Sequence, residues 1–187
     1  MRSTRASLLL LLLFLGSTGA ALAQRGDYSI TRISPEVVRT PDFGMSDKRT
    51  PDPGRWLEVE VQFQARPVST DELQFKYYIL FAGKLLAGDV THVDVPAGRE
   101  LYSVVYVSPR TIMRLLDNRP LTGAEVQNVG VQILNKGQVV AEKSFKFAQN
   151  REWWQTMQQT TGMVLNKSET PFAPLYWDRY EALKPAH

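Results

Sequence analysis

The chain has 187 residues and a formal net charge of +3, with two histidines and no cysteine. The lack of cysteine excludes disulfides, thiolate-bound metals and thiol nucleophiles, and two histidines argue against a histidine-based site. The absence of cysteine and the small number of histidines favour a non-enzymatic protein without a cofactor. The small net charge gives no reason to expect nucleic acid as a partner.

The first 23 residues are predicted to be a signal peptide. Arg2 and Arg5 precede an apolar run at residues 8–15, and the tripeptide ALA at residues 21–23 fits the small-residue cleavage pattern. The run is too short to span a bilayer, and no later stretch is long and apolar enough, so we expect no transmembrane segment in the mature chain. The protein is therefore expected to be exported, and to reside in the periplasm, at the outer membrane or outside the cell.

The mature chain is predicted to begin with a short strand at residues 28–33 and a loop rich in proline and glycine that reaches residue 55. Asp42, Asp47 and Asp52 lie in this loop. Their spacing of five does not match the alternating pattern of a calcium-binding loop, so a solvated loop is the preferred interpretation. An alternative role for the isolated first strand is pairing with the sheet edge of a neighbouring molecule.

The middle of the chain is predicted to be β. Residues 57–65 alternate strictly between apolar and polar side chains, and residues 73–81 carry apolar side chains at every second position. Turn residues at 82–84, 96–99 and 135–137 predict hairpins, with further strands at 90–95, 101–107, 126–134 and 138–147. Short strands at this spacing predict an antiparallel sandwich or barrel.

One short helix is predicted to interrupt the strands. Ser108 is a suitable N-cap, and Pro109 suits the first helical position. Ile112 and Leu115 recur at helical spacing, and Pro120 is expected to end the helix.

Candidate catalytic groups are few. Glu58 and Glu60 point the same way along one strand, about 7 Å apart, as in an inverting glycosidase. An ordinary solvated strand face explains them better, because no apolar pocket is evident that would raise one carboxyl pKa. His92 is interpreted as a satisfied surface or edge residue, and His187 is the last residue. The common nucleophile, metal and nucleotide motifs are also missing, so no catalytic or metal-binding residue is assigned.

Residues 151–187 carry most of the tryptophans and form a predicted C-terminal arm, helical at first and extended after Pro171. Five aromatic side chains in this arm are candidate partner-binding residues: Trp153, Trp154, Tyr176, Trp177 and Tyr180. The preferred interpretation is that the arm folds back and buries these rings on the sheet. The alternative is a carbohydrate-binding module that stacks sugar rings on the tryptophans.

Three stretches together resemble a family of exported, pilus-like proteins from Verrucomicrobia that includes a protein of Akkermansia. They are residues 56–61 (WLEVEV), 71–78 (DELQFKYY) and 169–180 (ETPFAPLYWDRY). The resemblance implies an immunoglobulin-like fold, an envelope location and an association with a type IV pilus-like gene cluster. Type IV pilins keep a long apolar N-terminal helix, and this chain has no such helix after residue 23, so an accessory component is expected.

The sequence therefore predicts a mainly β protein, an antiparallel immunoglobulin-like sandwich of about seven strands with one inserted helix. The expected organisation is a signal peptide at 1–23, the sandwich at 24–150 and the aromatic arm at 151–187. The expected function is a structural or adhesive component of a pilus-like or envelope assembly, whose partner is another protein of that assembly or a second copy of the chain.

Overall fold

The computed structural model describes residues 26–44, 54–146 and 152–184. The predicted signal peptide lies outside these residues, as do Asp47, Asp52 and His187. Seven strands are present in the described parts of the chain: β1 (Tyr28–Arg39), β2 (Arg55–Phe81), β3 (Lys84–Val107), β4 (Val126–Asn135), β5 (Gln138–Ser144), β6 (Gln159–Thr160) and β7 (Val164–Asn166). One α-helix, α1 (Pro109–Leu115), and two 3₁₀ segments, Trp153–Thr156 and Lys167–Glu169, complete these elements.

The long hairpin of β2 and β3 organises the sheet. β1 and β4 both pair antiparallel with β2, β5 pairs with β4, and β7 and β6 pair with β3, of which only β6 runs parallel. The turn between β2 and β3 places Ala82 and Gly83 at φ 47° and 78°. Two successive positive φ values match the right-handed twist of the flanking strands, which is why a small residue and glycine stand here.

The sheet is mainly antiparallel and nearly closes on itself like a barrel. Its two free flanks, β1 and β5, approach each other, and the Lys143 ammonium donates a 2.6 Å hydrogen bond to the carbonyl of Thr31. Asn135 also donates to the Tyr28 hydroxyl across this seam. The prediction of a mainly β, antiparallel protein is confirmed, and the strand pairing is that of one curved sheet.

The predicted hairpin at residues 96–99 is wrong. β3 continues through these residues, and β2 continues through residues 66–72, so four predicted strands are the halves of two long ones. Their pairing is irregular between Ala65 and Ser69, where Gly98 and Pro96 lie opposite. Proline and glycine therefore mark a place where both strands bend together without reversing.

The first strand is longer than predicted, because β1 runs past Pro35 to Arg39. Proline is tolerated there since β1 lies at a flank of the sheet, where its missing N–H breaks no inner ladder. β1 pairs with β2 of its own chain along its length, from Tyr28 opposite Ala65 to Arg39 opposite Arg55.

The predicted helix is confirmed as α1. The Ser108 side chain accepts a hydrogen bond from the backbone N–H of Thr111, and Pro109 is the first helical residue. The helix ends at Leu115, before Pro120, because Asp117 and Asn118 turn to positive φ. Ile112 anchors the helix by burying its side chain in the core.

The inner face of the curved sheet holds the main core. The alternating apolar residues of β2 are fully buried there, as the period-two pattern predicted, and Phe63 and Phe75 meet edge to face at 4.8 Å. A second cluster covers part of the outer face, where Trp153 and Trp154 bury Tyr78 and Leu80. The Trp154 ring stacks on Tyr78 with the ring centroids 4.7 Å apart.

No helix among the described residues has both the length and the apolarity that a membrane crossing requires.

Gly130 provides a test of the outer cluster, because it lies opposite Tyr78 and directly beneath Trp154. A Cβ at this position would come within 2.2 Å of the Trp154 ring. We expect Gly130→Ala to lower the free energy of unfolding by about 1–3 kcal/mol through overpacking. Denaturant unfolding followed by tryptophan fluorescence measures this.

Gly26→Ala is the matched control, because its added Cβ would meet Arg66 at an ordinary 3.7 Å. We expect a change within about 0.5 kcal/mol for this exposed site. Equal stability of the Gly130→Ala variant and the unsubstituted protein would contradict the described position of Trp154.

Candidate functional site

Residues 167–184, here called the C-terminal strap, cross the outer face of β2 and β3 and build the candidate site. Phe172 is the apolar anchor of this strap. Its ring stacks on Tyr106 of β3 with centroids 4.6 Å apart and meets Trp56 of β2 edge to face at 5.5 Å. The three rings bury one another, so the strap seals an apolar patch of the outer face.

Glu60 is the polar anchor of the strap. Its carboxylate accepts two hydrogen bonds from the Arg179 guanidinium, at 2.8 and 2.9 Å, and a third from the Tyr180 hydroxyl at 2.9 Å. Burial alone would raise the pKa of Glu60, but these donors lower it below its usual value. The guanidinium also lies 4.0 Å from the centre of the Tyr102 ring, a cation–π contact.

The interpretation of Glu58 and Glu60 as members of a solvated strand face is therefore wrong. Both carboxyl groups are partly buried, because the strap covers the strand face that carries them. Burial raises the pKa of Glu58, which lies beside Tyr106. The alternation of β2 predicted their outward direction but contained no sign of the covering segment.

His92 ties the end of the strap to the interior. One ring nitrogen, Nδ1, lies 3.0 Å from the carbonyl of Glu181, and the other, Nε2, lies 2.7 Å from the Ser103 hydroxyl. Because a carbonyl only accepts, Nδ1 carries the proton and Nε2 accepts from Ser103. Tyr77 in turn donates to Ser103 at 2.6 Å. The backbone follows the same path, since Val93 N–H donates to the carbonyl of Ala182.

The interpretation of His92 as a surface or edge residue is wrong, because only 1% of the residue is exposed. Burial lowers its pKa from 6.5 to about 4. A serine bonded to a histidine also occurs in hydrolases. Here Ser103 is fully buried, and the histidine is oriented by a backbone carbonyl. The chain of bonds holds the strap and presents no nucleophile to solvent.

A groove of about 230 Å³ opens between the strap and β3. Its lining includes His92, Val104, Lys167, Ala173, Trp177 and Leu183. Lys167 is buried, and its ammonium donates to the carbonyl of Ala173 at 3.0 Å and lies 5.5 Å from the centre of the Tyr180 ring. Trp177 stands at the rim and is 80% exposed.

The five predicted partner-binding aromatics divide into two groups. Trp153 and Trp154 are buried on the outer face of the sheet, where the Trp153 indole N–H donates to Ser144. Tyr176 and Trp177 project from the strap, 64% and 80% exposed, and Tyr180 is half-buried against Glu60. The structure thus brings Tyr176, Trp177 and Tyr180 together on the strap and leaves the two earlier tryptophans in a separate cluster.

Sequence reasoning missed the roles of His92, Lys167 and Arg179. Arg179 lies in the distinctive stretch at residues 169–180, but its partner Glu60 is 119 positions away. No periodic pattern connects positions so far apart. Within the described residues, no group of three histidines or acidic side chains is placed to hold a metal ion.

The Glu60 anchor can be tested by Glu60→Gln. The variant keeps the shape of the side chain but loses the charge that the guanidinium faces, so we expect unfolding to cost about 1 kcal/mol less. The figure is modest because the Arg179 side chain is 42% exposed and partly screened by solvent. Urea denaturation at pH 7 measures the change.

Glu72→Gln is the matched control, since its ion pair with Lys184 is exposed on both sides. Its effect is expected to stay within about 0.5 kcal/mol. Equal losses for the two variants would show that Glu60 is no stronger an anchor than a surface pair.

The low pKa of His92 predicts that the free energy of unfolding decreases in acid. Its folded pKa of about 4 lies below the 6.5 of the unfolded chain, so the unfolded state binds the proton first. The contribution of His92 to the free energy of unfolding is fully present above pH 6.5. It decreases by about 3 kcal/mol as the pH falls toward 4. Unfolding free energies of the native chain and His92→Gln, measured between pH 7 and 4, isolate this contribution from the carboxyl groups. Parallel curves for the two proteins would contradict it.

The fold and this site can be compared with known proteins. One protein-family model matches residues 19–187. A crystal structure of a protein from Akkermansia muciniphila is similar, with a TM-score of 0.74 and 27% identity, over 86% of this chain and 94% of that one. No curated protein matches the sequence. The chain therefore belongs to the family that this model describes, and the similarity to the Akkermansia muciniphila structure supports that membership.

Proposed function

We propose that the protein is an exported, non-enzymatic structural or adhesive accessory component of a pilus-like or cell-envelope assembly. Tyr176 and Trp177 form its contact surface for a protein partner. The exposure of these two rings on a segment that is anchored on both sides carries the proposal.

The two rings are held in place by their neighbours in the strap. Phe172 is buried before them, and Arg179 binds Glu60 after them. Tyr176, which lies between the two anchors, adopts a φ of 50°, a value that non-glycine residues rarely adopt. A contact surface that is already ordered loses less conformational entropy on binding, and exposed aromatic rings are frequent hot spots of protein interfaces.

Family membership and the Akkermansia muciniphila structure support an assignment to the resembled family. That resemblance adds the immunoglobulin-like relationship, the export and the pilus-like assembly to the proposal. The non-enzymatic part is supported by the sealed Tyr77–Ser103–His92 chain, whose hydroxyl groups are committed to one another.

A carbohydrate-binding function would have to use fewer rings than the sequence suggested. Trp153 and Trp154 are buried, so Tyr176 and Trp177 alone would offer a platform for sugar rings. A glycan is therefore the alternative ligand to be tested for the surface that Tyr176 and Trp177 form.

The experiment is a pull-down of the tagged mature protein from native envelopes, with partners identified by mass spectrometry. We expect recovery of secretin-like or pilus-assembly proteins by the unsubstituted protein and at least a tenfold smaller yield with Trp177→Ala, in line with the about 2 kcal/mol of a hot spot. Met113→Ala is the matched control, because Met113 is an exposed apolar residue on α1, outside the strap. It should retain full recovery.

Unchanged recovery by Trp177→Ala would show that the contact surface lies elsewhere. Recovery of glycans without pilus-assembly proteins, lost on the same substitution, would replace the proposal by a carbohydrate-binding module.

A further inference from the structure

We propose that the groove beneath Trp177 binds the carboxylate of an acidic peptide segment on the protein partner, with the Lys167 ammonium as its counter-charge. The inference rests on the proposed function and names the chemistry of the partner at the same surface.

Lys167 is a buried cation with few partners. It is 7% exposed, and its ammonium donates one hydrogen bond, to the carbonyl of Ala173. The Tyr180 ring adds a cation–π contact at 5.5 Å. An ammonium has three N–H donors, so the described residues around Lys167 leave donors unused, and burial lowers its pKa.

None of the described acidic side chains forms an ion pair with Lys167. Among the residues that the structure describes, the two ion pairs are Arg179 with Glu60 and Lys184 with Glu72. Glu169 accepts from the backbone N–H of Asn166. Glu181 lines the same groove but makes no ion pair with Lys167. Leaving a partly buried charge without a counter-charge is costly, and an incoming carboxylate would lower that cost.

Two other polar side chains of the groove are already satisfied, and burial raises the pKa of the Glu181 carboxyl, which also lines it. Both nitrogens of His92 are bonded, and the Ser168 hydroxyl donates to Asn166 at 2.6 Å. The remaining lining includes the apolar side chains of Val104, Ala173 and Leu183. The groove therefore offers a positively charged donor with unused N–H groups beside apolar surface, and Trp177 at its rim.

This combination favours a peptide over a sugar. Sugar hydroxyls need several donors and acceptors, whereas the described lining offers one cationic donor and the Glu181 carboxyl. A peptide carboxylate next to apolar side chains fits both parts of the groove. The carboxylate pairs with the Lys167 ammonium, and the apolar side chains pack on the apolar lining. Such a carboxylate occurs on an internal glutamate or aspartate and at a peptide C-terminus, so the test must distinguish the two.

The test is a titration of the full mature protein, by calorimetry and tryptophan fluorescence at low ionic strength. Two apolar pentapeptide probes carry the carboxylate, one as an internal glutamate with an amidated end and one as a free C-terminus. Their matched probes carry glutamine or the amide. We expect one carboxylate probe to bind at least about tenfold more tightly than its neutral match.

Lys167→Met is the decisive variant, because it keeps an apolar stem and removes the ammonium. We expect it to abolish the preference for the carboxylate probe without lowering the midpoint of unfolding, because no compensated charge is lost. Lys184→Met is the matched control, since it removes an equal charge from an exposed pair. It should keep the preference within about twofold.

The inference is overturned if neither carboxylate probe binds better than its neutral match, or if Lys167→Met retains the preference. Binding of a galacturonate oligomer that depends on Lys167, with no peptide bound, would also overturn it in favour of an acidic glycan. These results are separate from the envelope pull-down, whose yield depends on Trp177 and tests the proposed function itself.

Discussion

The continuous pairing of β2 with β3 is the constraint on which the rest of the structure depends. The remaining described strands reach the sheet through this hairpin, directly or, for β5, through β4. Because both strands are long and bend together, one hairpin supplies two differently oriented stretches of sheet. The inner face can then enclose a core, while the outer face is left with apolar and charged side chains that need a cover.

Two aromatic segments provide that cover in different ways. Trp154 lies flat on Tyr78 and fills the space that Gly130 leaves, so its role is packing. The strap combines an apolar anchor, Phe172, with the charged anchor at Glu60, so it follows the outer face and still presents two rings to solvent. Aromatic residues thus serve packing in one segment, whereas in the other segment two of them remain exposed on an anchored strap.

The sequence allowed the antiparallel β class, the alternation of β2, the helix α1 and two of the hairpin turns to be predicted, because these depend on residues close together in the chain. The hairpin at residues 96–99 failed, since proline and glycine mark a shared bend as readily as a reversal. The site was only partly accessible. Tyr176 and Trp177 were found by composition, whereas His92, Lys167 and Arg179 act through partners that local pattern does not connect.

The dependence of the strap on distant partners also has a consequence for the order of folding. Arg179 lies 119 positions after Glu60, and Lys184 lies 112 positions after Glu72. Contacts of such separation require the closure of a long loop and form late, after the local hairpins. A chain that is synthesised from its N-terminus can therefore build the sheet before the residues of the strap have been made. Until the strap docks, Trp56 and Tyr106 remain uncovered, and this interval is when the newly made chain is most exposed to aggregation.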